Sequence, residues 1–288
     1  MIITIFNPEF ILTKYIVPKV IDLGFYVNII ANDLSECREL KIYGLAGKIT
    51  ITKAKNKDYN FITNILHLSD LIIHFPAVKS YKKSDLFLEE ILDEYSMKNN
   101  NKLIKVEHRE RQENSINRGK IKVFIGDIIA KDSEMILSSM VLKNMPLILN
   151  NARNKQSKIS LTCPENAALF FELLIKDLSG IKIKSFKLVN QEMNYQDFIL
   201  KILNTLNFKG KVLNIPFVIS GYIYKIASLI PSKMIASFTA LLEPISGSSV
   251  DINAENGYSV FKIKEKNIDE IIGQAINFKD NHYLKNMR

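Results

Sequence analysis

Cysteine and histidine are too few and too scattered in this chain to form a disulfide framework or a clustered metal site. The 288 residues include only two cysteines and four histidines. Cys37 and Cys163 lie far apart and outside any CxxC motif, and the histidines stand singly along the chain. We therefore predict no metal site, and isolated thiols of this kind are typical of proteins in a reducing compartment.

Long apolar runs and export signals are missing as well. No segment reaches roughly 18 uninterrupted apolar residues, which is the length that a membrane-spanning helix needs. The first residues carry neither a charged start nor a small-residue cleavage site, and residues 1–6 have the composition of a buried strand. This pattern predicts a protein that stays in the cytoplasm.

Positive charge is in excess, but it is not concentrated in one tract. Lysine and arginine number 39 against 30 acidic residues, which gives a net charge of +9. Because the basic residues are dispersed, we expect them mainly on a solvated surface, and we predict no nucleic-acid partner. An anionic membrane surface and an acidic protein stay open as partners.

Short apolar runs alternate with helical patterns in the first half of the chain. The alternation is typical of βαβ units and predicts a Rossmann-type, doubly wound parallel sheet over residues 1–150. A smaller mixed α/β lobe is expected over 151–288, with part of that chain free to return to the sheet. Strands are predicted at 2–6, 25–31, 48–52, 71–75, 102–106, 121–125 and 181–188. Helices are predicted at 10–23, 35–42, 58–68, 84–97, 164–177 and 195–207.

The turn after the first strand contains no glycine. It reads Phe6-Asn7-Pro8-Glu9-Phe10-Ile11-Leu12-Thr13. In a dinucleotide-binding βαβ unit, glycines here allow the tight turn, bring the backbone to the pyrophosphate and let the helix approach the strand. Their loss predicts that the phosphate cradle is gone.

Several short segments carry a resemblance to a known family. They are Thr4-Ile5-Phe6, Tyr15-Ile16-Val17-Pro18-Lys19-Val20, Gly24-Phe25-Tyr26-Val27, Ser35-Glu36-Cys37, Leu40-Lys41-Ile42-Tyr43-Gly44 and Gly47-Lys48-Ile49-Thr50. In these segments the chain resembles the atypical short-chain dehydrogenase/reductase group, with its NAD-dependent epimerase/dehydratase fold. Within this group it is most similar to relatives of the 39 kDa accessory subunit of respiratory complex I, the NADH:ubiquinone oxidoreductase. The resemblance covers residues 1–78 and, more loosely, 121–243.

The resemblance implies a degenerate cofactor site. The family's GxxGxxG fingerprint maps onto three positions that are not glycine, Glu9 adds a repelling charge, and the arginine that meets a 2′-phosphate is replaced. The vestigial pocket comprises Asn7, Glu9, Phe10, Thr13, Asn32, Asp58 and His74. An aspartate at position 58 is equally a plain helix N-cap. We expect no bound cofactor, and NADPH or NADH if there is one.

The proton-transfer residues of the wider superfamily are also missing from their expected place. Tyrosine and lysine in a YxxxK motif belong on a helix between the fifth and sixth strands, where residues 108–120 leave too little room. Tyr258 and Lys262 have this spacing, but near the end of the chain, where it is a coincidence of sequence. We therefore predict no catalytic residues.

Three functions remain open from the sequence. The leading hypothesis is a non-catalytic accessory or assembly protein that binds subunits of respiratory complex I. The first alternative is an NAD(P)-dependent reductase or epimerase-like enzyme with an unorthodox site, which a cofactor titration would reveal. The second is a quinone- or lipid-binding module. Two further segments are candidate contacts: the apolar helical pattern with lysines over 215–242 for a membrane surface, and the mixed-charge run over 107–120 for a partner, which is equally a solvated loop.

Overall fold

The computed structural model describes most of the chain, which forms two compact units. The described residues are 1–8, 10–54, 58–76, 83–99, 102–107, 120–130, 133, 136, 139, 147–151, 157–181, 185–216, 219, 220, 222 and 254–280. The first unit comprises Met1–Ile125, Pro164–Leu188 and Val250–Lys264, and the second comprises Gly126–Cys163, Val189–Ser249 and Glu265–Arg288. Neither unit is continuous in sequence.

The first unit is built on an eight-stranded parallel sheet. Its order is β13-β10-β6-β5-β4-β1-β2-β3, and every neighbouring pair is parallel. The strands are β1 (Ile2–Phe6), β2 (Tyr26–Ala31), β3 (Ile49–Lys53), β4 (Leu71–His74), β5 (Lys102–Glu107), β6 (Lys120–Ile125), β10 (Ser185–Leu188) and β13 (Glu255–Asn256). The predicted Rossmann-type, doubly wound sheet is thus confirmed.

Helices cover both faces of this sheet. They are α1 (Thr13–Asp22), α2 (Leu34–Cys37) with a following 3-10 helix (Arg38–Tyr43), α3 (Tyr59–His67), α4 (Lys83–Asn99), α5 (Pro164–Lys176) and α7 (Gly257–Val260). Right-handed crossovers that leave the centre in opposite directions put α1 and α4 on opposite faces. The α4 face holds Phe6, Ile72 and Leu103 in one apolar cluster with α3 and α4. On the other face α1 packs against α5.

Helix α1 shows how the sequence sets this packing. Its buried residues include Ile16, Val17 and Val20, a spacing that places them on one side of a helix. The helix ends at Asp22, and Gly24 just beyond it has a left-handed φ of 83° and an N–H that donates to the carbonyl oxygen of Ile21 at 2.8 Å. The end of this helix therefore lies within one residue of the predicted end at residue 23.

The second unit has a separate core. A three-stranded sheet joins β7 (Asp127–Ile128), β9 (Lys158–Thr162) and β11 (Gln191–Asn194), and a two-stranded sheet joins β8 (Leu147–Asn151) and β12 (Lys211–Ile215). Helices α6 (Tyr195–Thr205) and α8 (Ile268–Asp280) contribute to its apolar cluster. Among the described helices, none is long and apolar enough to cross a bilayer.

Several predicted elements need correction. The predicted helix 35–42 is a short α2 followed by a 3-10 helix, and it begins one residue earlier than predicted, after Asp33, whose carboxylate accepts from the N–H of Ser35. Residue 215 ends strand β12 and does not begin a helix, because it pairs with β8. Strand β10 pairs with β6, so part of residues 151–288 returns to the large sheet, as the sequence analysis allows. Residues 108–119 and most of 217–242 lie outside the described residues.

Candidate functional site

The candidate site lies at the carboxyl ends of the central strands. The order β3-β2-β1-β4-β5-β6 reverses direction between β1 and β4, and ligands of open α/β sheets bind at such a switch point. Asn7 follows β1, Asn32 follows β2, and His74 is the last residue of β4. Three of the residues predicted from sequence therefore meet at this edge.

The side chain of Asn7 connects all three strand ends. Its Nδ2 donates to the carbonyl oxygen of Phe75 at 3.0 Å and contacts Nε2 of His74 at 3.2 Å, and its Oδ1 accepts from Asn32 Nδ2 at 3.2 Å. Both amide hydrogens and the amide oxygen thus have partners within the protein. Asn7 itself has φ 55°, the left-handed conformation that asparagine tolerates at a glycine position.

His74 is a neutral acceptor in this network. It is only 3% exposed. Burial is the main reason why the pKa of His74 falls from 6.5 to about 4, with opposing charges on Glu89 and Lys105 as smaller influences. Since Asn7 Nδ2 can only donate, Nε2 of the neutral ring accepts and the proton resides on Nδ1.

Phe10 fills the space beside this network. It occupies the second glycine position of the fingerprint and is 9% exposed. Its ring stacks on Phe75, with centroids 5.6 Å apart and planes 19° apart, and Phe75 in turn contacts Phe171 at 6.3 Å. Phe10, Phe75 and Phe171 therefore form an aromatic column beside the carboxyl ends of the central strands.

Three backbone donors at the start of α1 are paired within the protein. The N–H groups of Thr13, Lys14 and Tyr15 donate to the carbonyls of residues 10, 11 and 12, at 2.9, 3.4 and 3.0 Å. These are the groups that cradle phosphate at a helix N-terminus when they are left unpaired. The side chain of Thr13, at the third glycine position, is fully buried.

The other predicted residues do not join this arrangement. Asp58 caps α3, because its carboxylate accepts from the N–H of Phe61 at 3.0 Å, which is the alternative that its sequence position allows. Glu9 lies outside the described residues. Tyr258 is buried on α7, whereas Lys262 lies beyond the end of that helix, exposed and with φ 53°. The two therefore do not share a helix as a YxxxK pair does.

Sequence reasoning missed a set of buried charges on the α4 face. Lys105 on β5 is 6% exposed and pairs with Glu89 at 3.2 Å, and Lys120 on β6 is 4% exposed and pairs with Asp93 at 2.8 Å. Lys122 is also buried. A sequence signal exists only at β6, where Lys120 and Lys122 alternate with apolar residues.

The chemistry available at the strand ends is limited. The network offers two amides and a neutral imidazole, whose polar atoms bond to each other, and an aromatic column lies beside them. No group of histidine, cysteine and acidic residues that could hold a metal ion occurs in the described part of the chain. Among the described residues at these strand ends, the polar side chains of Asn7, Asn32 and His74 are therefore engaged with each other.

Comparison with known proteins identifies the fold of the chain but does not assign it to a family. The chain matches no protein-family model and no curated protein sequence. Among solved structures it is similar to the Thermus thermophilus UDP-glucose 4-epimerase complex with NAD, with a TM-score of 0.62 and 10% identity over 98% of this chain and 100% of that one.

Two reductases give the same result. Citrobacter sp. triphenylmethane reductase has a TM-score of 0.65 and 10% identity over 96% of this chain and 100% of its own. The Vitis vinifera leucoanthocyanidin reductase complex with NADPH has a TM-score of 0.61 and 10% identity over the same shares. The chain therefore has the fold of the NAD-dependent epimerases and related short-chain reductases.

Proposed function

We propose that this chain is a non-catalytic protein of Rossmann type, and that it serves as an accessory or assembly protein of the respiratory NADH:ubiquinone oxidoreductase. The observation that carries the first part is the closed network at the carboxyl ends of β1, β2 and β4. The polar side chains of this network bond to each other, and the ring of Phe10 stacks beside them, which supports a site that holds no dinucleotide.

The energetic argument concerns the diphosphate. A bound diphosphate would require unpaired N–H donors and a close backbone approach, whereas the N–H groups of residues 13–15 already donate to the carbonyls of residues 10–12. Phe10 would also have to leave its stack on Phe75. Removing a buried aromatic ring from its contacts costs about 3 kcal/mol, which a weakly held dinucleotide does not offset.

The proposed partner rests on the sequence resemblance over residues 1–78 and 121–243. A fold that keeps its strands and helices while its cofactor residues change is expected to be retained for a surface that another protein recognises. The test is affinity purification of the tagged chain under mild detergent. We expect the respiratory enzyme to accompany it, and recovery of the chain apart from that enzyme and from membranes would refute the assignment.

Calorimetric titration with NADH and NADPH tests the non-catalytic part. We expect the wild-type chain to bind neither more tightly than about 100 μM, or roughly 5 kcal/mol. Phe10→Gly should bind more tightly than wild type, because it removes the ring from the crevice. Phe61→Gly is the matched control, since it removes a partly buried ring that packs in the α3–α4 cluster. Wild-type affinity in the low micromolar range would contradict the proposal.

The second candidate function is an NAD(P)-dependent reductase or epimerase-like enzyme. The observation in its favour is that solved structures of this fold, over nearly the whole chain, include complexes with NAD and NADPH. Such an enzyme would hold its cofactor without the fingerprint glycines. The same titration separates the two candidates, because tight binding by the wild-type chain supports the enzyme.

A further inference from the structure

A segment at the opposite end of the sheet exposes apolar side chains among basic ones. Residues 38–48 contain the 3-10 helix and the turn that leads into β3, and they include Ile42, Tyr43 and Leu45. Ile42 is 77% exposed and Leu45 is 81% exposed. Side chains exposed to this degree project from the surface, and neighbouring exposed apolar side chains mark interaction sites.

This segment lies at the amino-terminal end of the strands. The carbonyl of Lys48 accepts from the N–H of Val27 at the start of β2, and Lys48 Nζ stands 4.1 Å above the ring of Tyr26. Tyr26 is half exposed. We call Tyr26, Ile42, Tyr43 and Leu45 the apolar tip, and the candidate crevice is at the other end of the same strands.

The scaffold beneath the apolar tip is fixed. Leu40 is buried and anchors the 3-10 helix. Gly44 lies so close to Ile49 that an added Cβ would approach its Cγ1 at 2.9 Å, and Gly47 has φ 84°. Lys48 Nζ also donates to the carbonyl of residue 24 at 3.0 Å. The backbone of this turn is therefore held in place by its contacts, and the apolar tip is exposed on an ordered turn.

The charge around the apolar tip is positive. Residues 38–48 contain Arg38, Lys41 and Lys48 and a single acid, Glu39. That acid forms an ion pair with Lys14 at 2.5 Å, so the basic groups of the segment are not neutralised by it. Projecting apolar and tyrosine side chains within a basic rim fit the boundary between headgroups and acyl chains of an anionic bilayer.

We propose that the apolar tip inserts into the surface of an anionic lipid bilayer, with Arg38, Lys41 and Lys48 facing the lipid phosphates. A protein partner is less favoured, because an ordinary interface buries about 800 Å² on each side and needs a broader surface than one short turn. The inference does not depend on the proposed function, since it concerns a different end of the molecule.

Vesicle co-sedimentation tests the proposal with the full chain. The probes are vesicles of phosphatidylcholine alone and vesicles that also contain phosphatidylglycerol. We expect at least about tenfold tighter binding to the anionic vesicles, since each basic residue near the surface contributes about 1 kcal/mol, or roughly fivefold. Ile42→Asp and Leu45→Asp should each weaken binding about tenfold, and Lys41→Gln about fivefold.

Tyr59→Asp is the matched control. Tyr59 is 51% exposed at the start of α3, at the crevice end of the sheet, so this variant introduces the same charge at a similarly exposed site. It should bind like wild type, and circular dichroism should show every variant folded. Lys41→Gln gives the readout if an aspartate variant does not fold.

Three results would overturn the proposal: no binding of wild type to anionic vesicles, equal binding to both vesicle types, or tip variants that bind like wild type. Sedimentation equilibrium tests the alternative that the chain self-associates through this surface. If the chain self-associates through the apolar tip, Ile42→Asp should abolish the association while vesicle binding is absent throughout. That result would assign the surface to a second copy of the chain.

Discussion

Burial of His74 makes the stability of the fold sensitive to acid. In the folded chain the pKa of His74 is lowered from 6.5 to about 4 by burial. Between these two values an unfolded chain binds a proton at this side chain and the folded chain does not. Falling pH therefore favours unfolding, so this contribution is fully present above about pH 6.5 and is lost as the pH approaches about 4.

The size of the effect follows from the pKa difference. At pH values well below 4, the free energy of unfolding is lower by about 3 kcal/mol on this account, because each pKa unit corresponds to about 1.36 kcal/mol. Between about pH 7.5 and about pH 5, roughly 2 kcal/mol of it is expressed. His74→Gln removes the titrating group and keeps an oxygen that can accept from Asn7.

Urea unfolding followed by circular dichroism at these two pH values measures the loss. Wild type should lose about 2 kcal/mol more than His74→Gln when the pH is lowered. The quantity compared is the drop in the free energy of unfolding between the two pH values, not the stability at neutral pH. The reasoning is refuted if this drop is as large in His74→Gln as in wild type.

The remaining predictions concern packing, charge and capping. Gly257→Ala should destabilise the fold by about 1–3 kcal/mol, because the new Cβ would lie 2.6 Å from the ring of Phe170. Gly273→Ala in α8 is the control: its Cβ would meet nothing within 4 Å, and it should stabilise the fold by up to about 1 kcal/mol. Equal effects of the two variants in thermal unfolding would contradict this packing argument. Lys105→Met should cost about 3 kcal/mol in urea unfolding, because it takes the ammonium away from two largely buried carboxylates, and a loss below about 1 kcal/mol would count against that pairing. Asp58→Ala should cost about 1 kcal/mol and Asp58→Asn much less; a cap is the wrong explanation if both cost the same.

The sheet could be predicted from sequence where local pattern decides structure. Strand β1 has the predicted bounds, and the next five strands of the first unit agree with the prediction to within one or two residues. The sequence does not predict strand β13, because its two residues are too few to show an alternation of apolar and polar side chains. Nor does it identify the partner of β10, since the partner of a strand depends on tertiary pairing and not on its own residues.

The candidate site was predictable in part. Replacement of glycine at position 7 allows a left-handed asparagine, and the structure has this conformation. The hydrogen bonds from its side chain to two other strands depend on distances that no local pattern contains. Helix α1 begins three residues later than predicted, because residues 10–12 form turns whose carbonyls accept from the first helical N–H groups. The role of Phe75 in the aromatic column was likewise invisible without the fold.

The return of β10 and β13 to the large sheet bears on how the chain folds during synthesis. Until residues 185–188 leave the ribosome, β6 has no neighbour on its outer side, although strands β1 to β6 have all been made. An unpaired strand edge of this kind invites association between nascent chains. Such late, distant pairing also slows folding, so chains shortened before residue 185 should aggregate more readily than the complete protein.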